Sequence, residues 1–116
     1  MSYIFRFPKN DKNFKWTQHI KDKMLFYGIS EQKIKTILKN PDRKEEGIAE
    51  GTLAVMKRND TPKRKQEIWL MYAVGKGAKT MISTWRYPGK SPLGKRLPIS
   101  DELLNEIKEA WFEKEK

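Results

Sequence analysis

Cysteine is missing altogether, which excludes disulfide staples, thiolate zinc sites and thiol catalysis. Histidine occurs once, as His19, too few for a histidine-rich metal site, and neither a metal nor a cofactor is expected. No apolar run is long enough to span a membrane, and Met1-Ser2-Tyr3-Ile4-Phe5-Arg6 lacks the hydrophobic stretch of a signal peptide. A cytoplasmic protein without membrane contact is therefore expected. The 116 residues fit one domain, 1–116, of a size that buries a core without covalent staples.

Acidic residues are also in short supply, 15 against 25 Lys+Arg, leaving a net charge of +10. The excess is uneven. Lys57 to Lys65 (KRNDTPKRK) holds five basic residues and one acidic; Arg86 to Arg96 (RYPGKSPLGKR) holds four basic and none acidic. The acidic residues gather between Asp42 and Glu50 and in the last helix. A surface positive on one side attracts polyanions through phosphate contacts and counterion release, so RNA is the expected partner. The plain alternative is a lysine-rich solvated surface. Both clusters lie inside the folded region rather than on a tail, which favours a shaped binding face.

Hydrophobic periodicity gives the order of elements. Tyr3-Ile4-Phe5-Arg6-Phe7 alternates as a short edge strand stopped by Pro8, and Asp11-Lys12-Asn13 reads as a turn. Thr17 caps a helix running to Tyr27, with Ile20, Met24 and Tyr27 on its buried stripe and Gly28 ending it. Ser30 caps a second helix with Ile34, Ile37 and Leu38 inward, stopped by Asn40-Pro41. Strands follow at 52–56, 67–74 and 80–87, the last two joined by a Gly75-Lys76-Gly77-Ala78 hairpin. In the second of these, Ile68, Leu70, Tyr72 and Val74 share one face and Trp69, Met71 and Ala73 the other, so it is a central strand. Ser100 caps a final helix. The expected class is α+β: an N-terminal helical hairpin, an antiparallel sheet of three to four strands and a C-terminal helix.

Two short motifs carry a family resemblance. His19, Lys23-Met24 and Gly28-Ile29-Ser30 resemble the opening helical hairpin of RelE-related small toxin domains, with Lys23 where the related pattern has arginine. Ile82-Ser83-x-x-Arg86 is similar to the third-strand pattern of BrnT-type ribonuclease toxins. The resemblance covers roughly residues 14 to 112. It implies a RelE/BrnT-like ribonuclease domain that cleaves RNA without metal, and an acidic antitoxin as protein partner. Departures are present: the full Lys, Arg and Tyr cluster of RelE-type enzymes is not traceable, and Tyr87-Pro88-Gly89 turns into a basic loop instead of a charged helix.

Metal-free RNA cleavage needs a base, an acid and positive charge at the phosphate. Arg86 is the first candidate for the charge, on the strand face of Thr80, Ile82 and Thr84 by simple alternation. Tyr87 falls on the opposite face unless a bulge near Pro88 brings the two together. His19 is the base candidate by ordinary pKa, against a packing role on its helix. Lys63, Arg64, Lys65, Lys90, Lys95 and Arg96 are candidate phosphate contacts, against an ordinary solvated charge run. Trp85, beside the basic loop, is the tryptophan best placed to stack on a base. Two rivals to the ribonuclease remain: a non-catalytic RNA-binding module, and a protein-interaction domain that docks an acidic partner.

Overall fold

Strands with apolar residues on both faces lie inside a sheet, and the fold is arranged around two of them. A computed structural model describes residues 5–93 and 97–112. The elements are β1 (Phe14–Trp16), α1 (Gln18–Tyr27), α2 (Glu31–Lys39), β2 (Arg43–Glu46), β3 (Thr52–Arg58), β4 (Gln66–Val74), β5 (Lys79–Pro88) and α3 (Asp101–Ile107), which runs on into a π-helical turn at Lys108–Phe112. They form one five-stranded sheet in the order β1-β5-β4-β3-β2. All neighbours are antiparallel except β1, which runs parallel to β5. The class is α+β.

Two edge strands make the sheet larger than the expected three to four strands, and one makes it mixed rather than antiparallel. β1 is only three residues long, too short to display a period. β2 reads Arg43-Lys44-Glu45-Glu46, with no apolar residue to alternate; an edge position tolerates such charges and discourages pairing with other chains. The strand expected at Tyr3 to Phe7 has no counterpart among the described residues. Tyr3 and Ile4 lie outside the described residues, and Phe5 to Phe7 is irregular.

Each helix begins where a hydroxyl satisfies its free N–H groups. Thr17 Oγ1 accepts from Ile20 N–H at 3.1 Å and donates to the Ile82 carbonyl at 3.0 Å, so one side chain both caps α1 and ties it to β5. Ser30 and Ser100 cap α2 and α3 in the same way. Gly28 closes α1 at φ 67°, a backbone geometry that side chains with a Cβ disfavour. The helices cover opposite sheet faces. Ile20, Met24, Ile34 and Ile37 pack with Val55, Ile68, Leu70, Tyr72 and Met81, while Leu103 and Ile107 pack with Met56, Trp69, Met71, Ile82 and Trp85.

One irregularity changes which side chains share a face. The β4–β5 register passes from Met71↔Ser83 to Tyr72↔Met81, leaving Ile82 as an extra residue on β5. A bulge puts two consecutive side chains on one side. Arg86, paired with Ile68, therefore shares its face with Thr84 but not with Ile82, which belongs to the α3 side. The alternation expected from sequence fails at that residue.

Trp69 and Trp85 stand opposite each other across β4 and β5, their rings stacked at 6.0 Å and 4°. Trp69 has no solvent exposure, whereas Phe26 on α1 is 75% exposed. Trp69→Ala is expected to destabilise the fold by about 3–5 kcal/mol, and Phe26→Ala by less than about 0.5 kcal/mol, compared by urea unfolding. Equal losses in the two variants would contradict this division between core and surface.

Candidate nucleic-acid interface

The two basic segments meet. Residues 59–65 join β3 to β4 and the chain after β5 leaves at the same sheet end, where Gln66 pairs with Pro88 and Gly89 N–H donates to the Lys65 carbonyl at 2.8 Å. Lys63, Arg64, Lys65 and Lys90 are exposed there, and none forms an ion pair among the described residues. Lys95 and Arg96 lie outside the described residues. A second group of lysines, including Lys15, Lys76 and Lys79, sits at the far end, where β1 pairs with the start of β5.

The loop after β5 is fixed by a buried carboxylate. Glu67 has no solvent exposure. Its Oε1 accepts from Ser91 Oγ at 2.7 Å and Trp69 Nε1 at 2.9 Å; its Oε2 accepts from Ser91 N–H at 2.9 Å and Arg58 Nη1 at 3.1 Å. Arg43 closes the network, donating to Ser91 Oγ at 2.7 Å and the Ser91 carbonyl at 3.1 Å, with its guanidinium 5.1 Å from the Trp69 ring centre. Arg43 also pairs with Glu45 at 2.9 Å. Burial alone would raise the Glu67 pKa, but the hydrogen bonds from Ser91 and Trp69 and the charge of Arg43 outweigh it, and the carboxyl is held below its ordinary value of 4.5.

This network sorts the cations of the sheet end into two sets. Arg43, Lys57 and Arg58 are neutralised by Glu45, Asp42, Asp60 and Glu67. Lys63, Arg64, Lys65 and Lys90 have no such partner among the described residues, and all four are exposed. The second set coincides with residues singled out from sequence; Glu67 was not among the candidates. Its signal was present, since Glu67 shares the strand face of Trp69 and Met71 and a carboxylate on that apolar face needs partners.

The three catalytic candidates are placed differently. Arg86 binds the end of α1: Nε donates to the Tyr27 carbonyl at 2.9 Å, Nη2 to the Gly28 carbonyl at 3.4 Å and Nη1 to Gln66 Oε1 at 3.1 Å. A cation at a helix C-terminus meets the negative end of its dipole. Burial lowers the Arg86 pKa, and an arginine remains charged nonetheless. Tyr87 pairs with Glu67 on the opposite face, and no bulge occurs at Pro88. His19 Nε2 lies 2.8 Å from Ser83 Oγ, so the histidine and the Ile82-Ser83 motif meet in space. Burial and Lys23 lower the His19 pKa against the raising effect of Glu106 and Asp22, with burial largest. Ser83 and Tyr87 share a face four residues apart, about 14 Å at the usual strand rise, which separates His19 from Tyr87 beyond direct proton transfer.

Arg86 and Tyr87 nevertheless border one cavity of about 420 Å³, beside Tyr27, Pro88, Leu97 and Ile99. Trp85 belongs to the core instead of a stacking surface: it is 2% exposed and its Nε1 donates to the Pro98 carbonyl at 3.0 Å. Among the described residues no group of three or more His, Asp or Glu side chains is placed to hold a metal ion, and no helix is long and apolar enough to cross a membrane. Neither a family model, nor a curated protein, nor a solved structure matches this chain.

A carboxyl whose folded pKa lies below its unfolded one stabilises the fold above the unfolded value, and that stability is lost as pH falls through the folded value. Wild-type stability is thus expected to decline as pH drops below 4.5 toward the Glu67 folded pKa. Glu67→Gln, which removes the buried carboxylate between Arg43 and Arg58 and leaves them Glu45 and Asp60, is expected to cost roughly 1–3 kcal/mol at neutral pH and to flatten that acid limb. Urea unfolding across the pH range measures both; an unchanged acid limb in the variant would show that Glu67 is not its source.

Proposed function

We propose that this protein is an RNA-binding module of the cytoplasm whose binding face is the sheet end bearing Lys63, Arg64, Lys65 and Lys90. One observation carries the reading: the two basic segments, more than 20 residues apart in sequence, are bonded at Lys65 and Gly89, and Lys63, Arg64, Lys65 and Lys90 are exposed with no ion-pair partner among the described residues. Exposed ammonium and guanidinium groups on adjoining loops suit a run of phosphates, whose counterions are released on binding. Arg43, Lys57 and Arg58 contribute little, because local carboxylates already balance them.

Four phosphate contacts give log affinity against log salt a slope of roughly −3 to −4. Lys63→Ala with Lys65→Ala is expected to reduce that slope by about half. The matched pair Lys15→Ala with Lys76→Ala, at the other sheet end, leaves it nearly unchanged. Titrations of a labelled RNA at several salt concentrations measure all three proteins. A larger effect from the Lys15 and Lys76 pair would move the binding face to the opposite end.

A second reading, metal-independent cleavage, draws on the shared cavity of Arg86 and Tyr87 and on the resemblance to RelE/BrnT-like toxins. It is the weaker one: three of the Arg86 donors are engaged at the end of α1 and Gln66, and His19 is held at Ser83. In this reading an acidic antitoxin would cover the same cationic end. RNA incubated with the protein in a chelator is expected to stay intact. Fragments that disappear with Tyr87→Phe would favour the nuclease over the binding module.

A further inference from the structure

The cavity at the end of β5 adjoins the cationic loops and differs from them in chemistry. It is lined by residues that include Tyr27, Arg86, Tyr87, Pro88, Leu97 and Ile99. At about 420 Å³ it falls within the roughly 300–1,000 Å³ of small-molecule sites. At its Tyr27 side the surface continues outward: the Phe26 ring meets the Tyr27 ring edge-on at 4.9 Å and is 75% exposed. Exposed aromatic surface next to free cations is the composition of single-strand binding sites, where bases stack on rings while the backbone follows the charge.

Arg86 adds a polar edge to the apolar walls. A guanidinium carries five N–H donors, and three are engaged by Tyr27, Gly28 and Gln66. Those bonds fix the plane of the group, so any contact that its two remaining donors make costs little further side-chain freedom. A planar ligand with ring acceptors fits this combination. A carboxylate side chain fits it poorly, because the cavity offers one cation among largely apolar walls.

We infer that this cavity receives an unpaired nucleobase, which makes single-stranded RNA, and not duplex, the ligand of the cationic face. The inference rests on the RNA-binding reading above and narrows it. Pro88 joins the two parts of the site: it lines the cavity, pairs with Gln66, and is followed by Gly89 on the Lys65 carbonyl. A strand running along Lys63 to Lys65 and Lys90 thus passes the cavity mouth. In a duplex the bases are stacked and paired, and none can enter without being extruded.

Fluorescence anisotropy on the full chain tests this with three labelled probes: a single-stranded RNA 12-mer, its duplex, and the same strand with abasic positions. Stacking of one base is worth roughly tenfold in affinity, so the intact strand is expected to bind about tenfold more tightly than either of the others. Tyr87→Ala is expected to lose a similar factor on the intact strand and none on the abasic one, and Tyr87→Phe, which keeps the ring, rescues the loss. Should Tyr87→Ala fail to fold, the three probes on the wild-type protein still decide the matter. Equal affinity for intact, abasic and duplex RNA, with Lys63 and Lys65 still required, overturns the base pocket and leaves RNA binding standing. No binding of any probe at low salt overturns both.

Discussion

A carboxylate with no access to water has to find its counter-charge and hydrogen bonds inside the protein, and Glu67 finds them on four sides. Ser91 supplies two donors, Trp69 one and Arg58 one, and Arg43 binds Ser91 from the other side. The consequence reaches beyond one residue. Ser91 belongs to the loop that leaves β5, so the loop is clamped to the start of β4, and exposed Lys90 is held beside the β3–β4 connection, where Gly89 N–H meets the Lys65 carbonyl. Without that clamp the chain after Pro88, rich in glycine and proline, would have little apolar surface to hold it down.

The same network explains why not all basic residues at this end are equal. Arg43, Lys57 and Arg58 are balanced where they stand, and their charge is spent on holding β2, β3 and β4 together. Lys63, Arg64, Lys65 and Lys90 carry no such partner among the described residues and present their charge to solvent. Arg86 stands between the two groups, anchored on the last carbonyls of α1 yet bordering a cavity. This division favours the proposed binding over the proposed catalysis, since Arg86 and His19 are engaged within the fold while the four exposed cations have no ionic partner among the described residues.

Much of this architecture was legible in the amino-acid order. Thr17, Ser30 and Ser100 mark helix starts that the structure reproduces, because a hydroxyl before an apolar stripe has one efficient use. β4 announced itself as central by its two apolar faces. Four features were hidden for physical reasons. β1 has too few residues for a period, and β2 consists of charges that only its neighbour β3 makes into a strand. The Ile82 bulge depends on register against β4, a tertiary property that local alternation cannot encode, and it turned the residues after it by one face. Arg86 as a helix-end partner was likewise out of reach, since Tyr27 lies 59 positions away in the chain. The Glu67 network lay within reach in part: the carboxylate sits on the face of Trp69 and Met71, although its partners Arg43 and Ser91 come from distant segments.

The proposed reading stands or falls on whether RNA touches the protein and where. Amide chemical-shift mapping of the labelled chain with a single-stranded RNA at low salt reports that directly. The expected result is a contiguous set of perturbed amides at Arg64, Lys65, Gly89 and Lys90, extending to Arg86 and Tyr87. Perturbations confined to the β1 end around Lys15 and Lys76, or shifts scattered over both ends alike, would contradict it.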